Sequence, residues 1–341
     1  MKKILVIQTA FIGDAILTLP MIQKLKEIYP HSEIDVLAIP STREIFFLSP
    51  FVANVLVIDK RNKDKSIPSL LKLAKKIRKN NYDLIFSPHR SLRTSLLVMG
   101  SGVGETYGFS NSSFKHVYKY LIKYEPKHHE VRRNLELIGF SKTDQDWKIL
   151  PRIEINEEAA KKVDKFIAEK NLNSNIAAIA PGSVWNTKIY PEKYFSEIVI
   201  FLNKKGFHTI IIGGAGDKEL CTDIFEKNRD FSTATAGTFS ITETIGLLKK
   251  AKILISNDSA PAHMGLCANI PVLTLYCSTV PDFGFYPYTE KSAFLSYADL
   301  QCKPCGIHGY NECPVKTFAC AYNLKPSTVI SKIEEMLNDQ H

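Results

Sequence analysis

Three short segments place chemically capable side chains directly after apolar runs. The first is Phe11-Ile12-Gly13-Asp14, following Ile4–Ile7. Gly13 lets a backbone approach a ligand closely. Asp14 can either take a proton from a hydroxyl as a general base or cap the helix that follows. The second, Pro181-Gly182-Ser183-Val184-Trp185-Asn186-Thr187-Lys188-Ile189-Tyr190-Pro191, follows Ala177–Ala180. Small and hydroxylic residues before a lysine and a helix suit a phosphate, with Lys188 as a point charge and Ser183 adding a hydrogen bond. An ordinary polar loop with an exposed lysine reads the same way. The third is Ser256-Asn257-Asp258-Ser259-Ala260-Pro261-Ala262-His263-Met264. A helix opening there would turn N–H groups toward an anion, and His263 lies about one turn beyond Ser259. Otherwise Asp258 caps that helix and His263 is a satisfied core histidine.

The surrounding pattern supplies the elements that must hold these groups. Ile4–Ile7, Ile34–Ile39, Val55–Ile58 and Leu84–Ser87 are short apolar runs, as expected of parallel strands covered on both faces. Ile16, Leu19, Ile22, Leu25 and Ile28 recur at helical spacing, and Pro20 within them predicts a kink or a late start near Thr18. A helix is expected over Ser69–Lys79. A second series runs through helices at Asn156–Lys170, Pro191–Lys204 and Thr242–Lys250, with strands at Ala177–Ala180, Thr209–Ile212 and Ile253–Ser256. This alternation predicts an α/β protein of two Rossmann-like halves, residues 1–150 and 151–325, with ligands at the carboxyl ends of the strands. A terminal helix over Ser327–Leu337, in the segment 326–341, is a candidate to cross back onto the first half.

The glycines do not fit a nicotinamide fold, since only one stands where G-x-G-x-x-G would be needed, and the G-x-x-x-x-G-K-[ST] spacing of a Walker loop is absent. The 341 residues hold no apolar run long enough to span a bilayer, and the N-terminal run turns polar at Gln8, too short for a signal peptide. A cytoplasmic protein is expected. The formal charge of +9 is carried by residues 1–150, which points this half toward something acidic: a phosphorylated glycolipid, a membrane surface or a nucleic acid. Seven cysteines without a secretion signal argue against a disulfide framework. Cys221, Cys267 and Cys277 read as small core residues. Cys302-x2-Cys305-x7-Cys313-x6-Cys320 leaves three readings open, a functional metal, a structural metal held by four thiolates, or plain reduced thiols. His128 and His129 read as surface or interface residues rather than metal ligands.

Ile12-Gly13-Asp14-Ala15-Ile16-Leu17-Thr18-Leu19-Pro20, the Pro181–Pro191 segment, Gly213-Gly214-Ala215-Gly216-Asp217 and Asn257-Asp258-Ser259-Ala260-Pro261-Ala262-His263 occur in the order found in family 9 glycosyltransferases. The chain resembles this ADP-heptose:lipopolysaccharide heptosyltransferase family from Lys3 to about Leu337. Val280-Pro281-Asp282-Phe283 and the terminal cysteines resemble its heptosyltransferase II branch.

The resemblance implies a GT-B fold, an acceptor-binding first domain and a nucleotide-sugar-binding second domain with the active site in the cleft between them. It implies Asp14 as the catalytic base, Ser183 and Lys188 on the donor diphosphate, and Phe239 near adenine. It also sets Asp258, Ser259, Ala260 and His263 around phosphates and sugar, Gly13 beside the donor, and Glu219, or else Asp217, at the ribose. An inverting, metal-independent transfer of heptose from an ADP-sugar to an anionic glycolipid acceptor, the lipopolysaccharide inner core, follows, with no cofactor and no nucleic-acid partner. It is expected at the inner face of the inner membrane, in peripheral contact with the membrane surface. Arg90 and Arg93, after a strand, and the loop of Lys60, Arg61, Lys63 and Lys65 are candidates for the acceptor, the loop reading equally as a solvated surface. Two departures bear on the donor sugar: Ala260 replaces the family's usual glycine, and Tyr276-Cys277-Ser278-Thr279 replaces Gly-Pro-Ser/Thr. The alternatives are a relative using another nucleotide sugar for a different surface glycan, or a non-catalytic binding protein.

Overall fold

The computed structural model describes residues 1–140, 146–172 and 175–339. The chain divides into two compact units, Met1–Glu154 and Ile155–His341.

In the first unit, strands β1 (Lys3–Ile7), β2 (Glu33–Ala38), β3 (Asn54–Val57), β4 (Leu84–Ser87), β5 (Glu105–Phe109) and β6 (Tyr120–Ile122) form one sheet. Its order is β3-β2-β1-β4-β5-β6 and every pairing is parallel. Helices α1 (Ile12–Ile28), α2 (Arg43–Phe47), α3 (Ile67–Lys79), α4 (Leu92–Ser101) and α5 (Glu130–Leu137) make the connections. Ile4, Leu5, Val6 and Ile7 of β1 are fully buried, as a central strand covered on both faces requires, each worth roughly 2 kcal/mol against exposure.

Pro20 neither delays nor ends α1. The helix begins at Ile12 and keeps Pro20 buried in its interior. Thr18 shares in this arrangement: its hydroxyl donates to the Asp14 carbonyl at 2.8 Å and accepts from Gln8 Nε2 at 2.9 Å. Burial of the apolar stripe outweighs the hydrogen bond that proline removes, which costs about 3 kcal/mol in an unsupported helix.

The second unit repeats the plan. Its strands are β7 (Ile176–Ala180), β8 (His208–Ile211), β9 (Ser232–Ala234), β10 (Ala251–Asn257), β11 (Val272–Tyr276) and β12 (Ala293–Ser296). The order β12-β11-β10-β7-β8-β9 is that of the first sheet read from the other edge, again wholly parallel. Helices α6 (Glu157–Glu169), α7 (Glu192–Lys204), α8 (Lys218–Glu226), α9 (Ile241–Leu248), α10 (Ala260–Ala268), α11 (Ala319–Tyr322) and α12 (Pro326–Asn338) cover it. The terminal α12 buries Val329, Ile333 and Met336 in this unit's own core, beside Val199 and Leu202 of α7. Gln340 and His341, at the end of the terminal segment, lie outside the described residues. Both sheets are thus doubly wound, and each reverses strand order once, between β1 and β4 and between β7 and β10, where such folds open a crevice.

Candidate active site

Asp14 follows β1 and the Arg90 segment follows β4, so the first unit's chemistry stands at its switch point. Asp14 is the third residue of α1, and its carboxyl accepts backbone N–H bonds from Phe11 and from its own residue. The capping reading therefore holds in part. Capping does not account for its surroundings. Desolvation, with the Glu130 carboxylate adding repulsion, pushes the Asp14 pKa up to about 7, against the pull of those N–H groups and of Arg90. The side chain still keeps some contact with solvent. A carboxyl set near neutrality at the end of a strand is suited to taking a proton from a hydroxyl.

Three partners of this group have no signature in the sequence. Glu130 and Arg133 on α5 pair at 2.7 Å while buried. Arg133 also donates to the carbonyls of Glu125 at 3.0 Å and Pro126 at 2.7 Å. Tyr124 lies under two guanidinium groups, Arg90 at 4.0 Å and Arg133 at 4.8 Å from its ring centroid. Arg90 is thereby held over an aromatic face near Asp14.

The remaining basic candidates separate. Lys60 is half-buried and donates to the Thr9 carbonyl at 2.6 Å, so it is not a solvated loop residue. Desolvation, then Arg93 and Arg61, holds its pKa below the ordinary lysine value. Arg93 donates to the Asp64 carbonyl and, at 2.8 Å, to that of Lys65, which fastens the basic loop to the start of α4. Arg61 is exposed. His89, unremarked in the sequence, hydrogen-bonds Thr9 at 3.0 Å and Thr94 at 2.8 Å, and burial with Lys60 and Arg90 drives its pKa down to about 4. His129 corrects the expectation of a surface residue. It is buried, caps α5 by accepting from Val131 N at 3.2 Å, and stacks on Trp147 at 4.7 Å. His128 meets Glu136 at 2.7 Å.

In the second unit the loops after β7 and β10 meet at the other switch point. Lys188 Nζ lies 2.6 Å from Asp258 Oδ2, both side chains being nearly buried. Thr279 donates to the same carboxylate oxygen at 2.6 Å. Asp258 therefore serves the lysine rather than capping α10, whose cap position is Ser259. The Ser259 hydroxyl donates to the Gly182 carbonyl at 3.3 Å, and Asn257 Nδ2 to the Pro181 carbonyl at 2.6 Å, which sews the two loops together. Ser183 is part of this turn and accepts from Trp185 N at 3.4 Å. His263 is buried, and its Nδ1 has no hydrogen-bond partner among the described residues. Burial holds its pKa at about 4, Asp258 pulling up and Lys188 pulling down, so the ring is neutral near pH 7. An ammonium, a neutral imidazole and the start of α10 face one another here, an arrangement able to stabilise a departing oxyanion.

Glu219 is exposed on the first turn of α8. Asp217 sits closer to the Pro181–Pro191 loop, its carboxylate occupying the place a side chain at Gly182 would take, and it accepts from Gly214 N at 2.8 Å. Phe239 packs edge-on against Phe166 at 5.1 Å, with Lys162 5.4 Å from its ring centre.

Cys302, Cys305, Cys313 and Cys320 lie near enough to act on one another electrostatically, and among the described residues no group of three or more His, Cys, Asp or Glu side chains is placed to hold an ion. All seven cysteines are free. The segment forms a strap over Lys188. Lys303 pins it to the ends of β11 and β12, donating to Tyr276 O at 2.8 Å and Ser296 Oγ at 2.6 Å. Tyr310 and Thr187 exchange hydrogen bonds of 3.0 and 2.8 Å, and His308 stacks on Trp185 at 6.3 Å. Gly309 has φ +81°, and a Cβ there would stand 2.9 Å from Thr187 Oγ1 and 3.2 Å from Lys188 Cγ. Gly309→Ala is therefore expected to displace Lys188 and weaken nucleotide binding about 10-fold, measured by calorimetry, with secondary structure unchanged by circular dichroism. Unchanged binding would remove the strap from the site.

The comparisons with known proteins identify the family and the fold. The profile of glycosyltransferase family 9 (heptosyltransferase) matches residues 70–313. Lipopolysaccharide heptosyltransferase 3 of Escherichia coli K12 is 28% identical over 296 residues, 82% of this chain and 83% of that protein. Lipopolysaccharide heptosyltransferase 2 of the same organism is 24% identical, covering 82% and 84%. Among solved structures, the family 9 glycosyltransferase of Veillonella parvula superposes with a TM-score of 0.84 at 23% identity, covering 99% of this chain and 97% of that one. Escherichia coli ADP-heptose lipopolysaccharide heptosyltransferase II gives 0.81 at 20% identity, covering 100% and 99%. These likenesses place both units in the GT-B class of fold. The chain belongs to glycosyltransferase family 9, the heptosyltransferase family, and is a glycosyltransferase.

Proposed function

We propose that this enzyme moves a heptose from ADP-heptose to a hydroxyl of the lipopolysaccharide inner core, by a single displacement with inversion. The observation that carries the reading is the Asp14 carboxyl, set near neutrality at the first unit's switch point. The acceptor oxygen attacks the anomeric carbon as its proton passes to Asp14. The bond from that carbon to the phosphate oxygen breaks, and its electron pair leaves with ADP. The transition state has oxocarbenium character at the sugar and growing negative charge on the diphosphate. Lys188, oriented by Asp258 and Thr279, meets that charge together with the N-terminus of α10, and neutral His263 donates or accepts a hydrogen bond beside them. With Lys188 supplying positive charge, the mechanism calls for no divalent cation and no cofactor. Arg90 and Lys60, at the carboxyl end of the first sheet, suit the phosphates of an anionic glycolipid acceptor. That acceptor sets the place of action at the cytoplasmic face of the inner membrane, with peripheral contact. No helix among the described residues is long and apolar enough to cross a membrane. An Escherichia coli relative, WaaC, was solved with ADP-2-deoxy-2-fluoro heptose, which supports the choice of donor.

Calorimetry with ADP, UDP and GDP in EDTA is the test, followed by transfer from ADP-heptose and NMR of the new anomeric centre. Selective ADP binding and an inverted linkage are expected. Preference for UDP or GDP would move the donor to another sugar, and an absolute need for a divalent ion would overturn the metal-free step.

A further inference from the structure

The +9 charge is not spread over the first unit's surface. Residues 60–79 alone carry nine lysines and arginines, Lys60, Arg61, Lys63, Lys65, Lys72, Lys75, Lys76, Arg78 and Lys79, against one acid, Asp64. This single stretch, the loop after β3 together with α3, holds +8. Elsewhere several cations find acids, among them Lys24 with Glu27, Lys119 with Glu105 and Lys205 with Glu334. No ion pair of the described residues involves a cation of this stretch. Like charges packed on one helix repel, so the folded state bears a standing cost that a solubilising role does not require.

Apolar side chains accompany the charge. On α3, Leu70, Ala74 and Ile77 turn inward, whereas Ile67 is 73% and Leu71 57% exposed at the opening turns. Leu92, at the start of α4, is 54% exposed. Arg93 draws the two helix starts together through the Asp64 and Lys65 carbonyls. In a parallel α/β unit the loop after β3 and the first turns of α3 and α4 lie at the carboxyl end of the sheet. Lys60, bonded to Thr9 just past β1, confirms this for the basic loop. Asp14 stands at the same end.

We propose that the basic loop and α3 form a docking surface for an anionic phospholipid bilayer, Ile67, Leu71 and Leu92 entering the headgroup layer and the cations resting on lipid phosphates. Cationic flanks around a few exposed aliphatic residues are the chemistry of an interfacial segment, which binds by charge and shallow insertion without spanning. With α3 lying along the bilayer, its first turn brings the carboxyl end of the first sheet to the membrane, and a glycolipid sugar enters toward Asp14 without leaving the bilayer. This surface rests on the glycolipid-acceptor reading for its purpose but not for its existence, and the experiment separates the two.

The experiment is co-sedimentation of the full chain with vesicles of phosphatidylcholine alone and with 30% phosphatidylglycerol. A Lys72→Glu/Lys75→Glu/Lys76→Glu variant and an Ile67→Ser/Leu71→Ser variant are run beside it, with calorimetric ADP binding in solution as the control for folding and donor site. Each cation at an anionic surface is worth about 5-fold in partition. Wild type is expected on the anionic vesicles only, with binding lost in about 0.5 M salt as the screening length shrinks. The triple variant should fall at least about 100-fold and the double variant about 10-fold, both keeping ADP binding. Anionic-vesicle binding unchanged in the triple variant, or equal on neutral lipid, would overturn the surface. Tighter binding to duplex DNA than to vesicles at the same salt, or retention only on vesicles carrying phosphorylated glycolipid, would also overturn it. Vesicle binding as expected without transfer from ADP-heptose would leave the surface standing and remove the acceptor reading alone.

Discussion

Asp14→Asn is expected to lower kcat roughly 1,000-fold, within the range for loss of a general base, while ADP binding stays within about 2-fold of wild type. The same change should raise stability. Because the folded chain holds the Asp14 proton to about pH 7 against an ordinary value of 3.8, it binds that proton where the unfolded chain has released it. Stability linked to this group therefore grows as pH falls from about 7 toward 4, and the cost of the charged form is present in full above 7. Asn carries no such charge and can still accept the Phe11 N–H. At about pH 8 the variant should be more stable by roughly 2 kcal/mol, read by urea denaturation. An Asp14 that mattered only as a cap would give the opposite result, a less stable and still active protein. In the wild type, kcat/KM should rise with pH through a single ionisation near 7. Arg90→Gln should move that limb to higher pH, since Arg90 is one of the groups holding the Asp14 pKa down.

Lys188→Ala carries the second large effect, in two separable parts. Its ammonium lies 2.6 Å from a nearly buried carboxylate. Removing it strands Asp258 and should cost about 3 kcal/mol of stability. It also removes the positive charge opposite the diphosphate, for which an ADP affinity loss of about 100-fold and a larger loss in kcat are expected. Lys188→Met/Asp258→Asn separates these parts. With both charges gone, stability should return to within about 1 kcal/mol of wild type by the same denaturation, and ADP binding should remain weak by calorimetry. Recovery of ADP binding in the double variant would show that Lys188 serves the fold rather than the nucleotide.

Central strands and the loops leaving them were legible in the chain because burial on both faces writes a run of apolar residues that needs no context. β1, β4, β7 and β10 are of this kind, and the segments after them are the ones that meet at the switch points. The outer strands leave no such mark. β6 is three residues with Tyr120 and Leu121 exposed, and β9 is Ser-Thr-Ala, so each is a strand through its neighbour's hydrogen bonds more than its own side chains. The start of α1 was obscured by Pro20, whose local penalty is overridden by tertiary burial. The buried Glu130–Arg133 pair was not legible as a neighbour of Asp14, because only the fold brings α5 to the start of α1. The inward turn of Lys60 was not legible for a related reason: nothing in a run of basic residues tells which one turns back toward the sheet.

The shared strand order has a practical corollary. Two sheets built on one plan, with the chain passing once from one compact unit to the other at Glu154–Ile155, make the enzyme modular in the sense a protein engineer would use. The loops after β1 and β4 are rooted in one sheet and those after β7 and β10 in the other, so each set can be varied on its own scaffold. On the proposed assignment, recipient preference and nucleotide preference are then inherited separately, and recombination at the linker would shuffle them as intact halves.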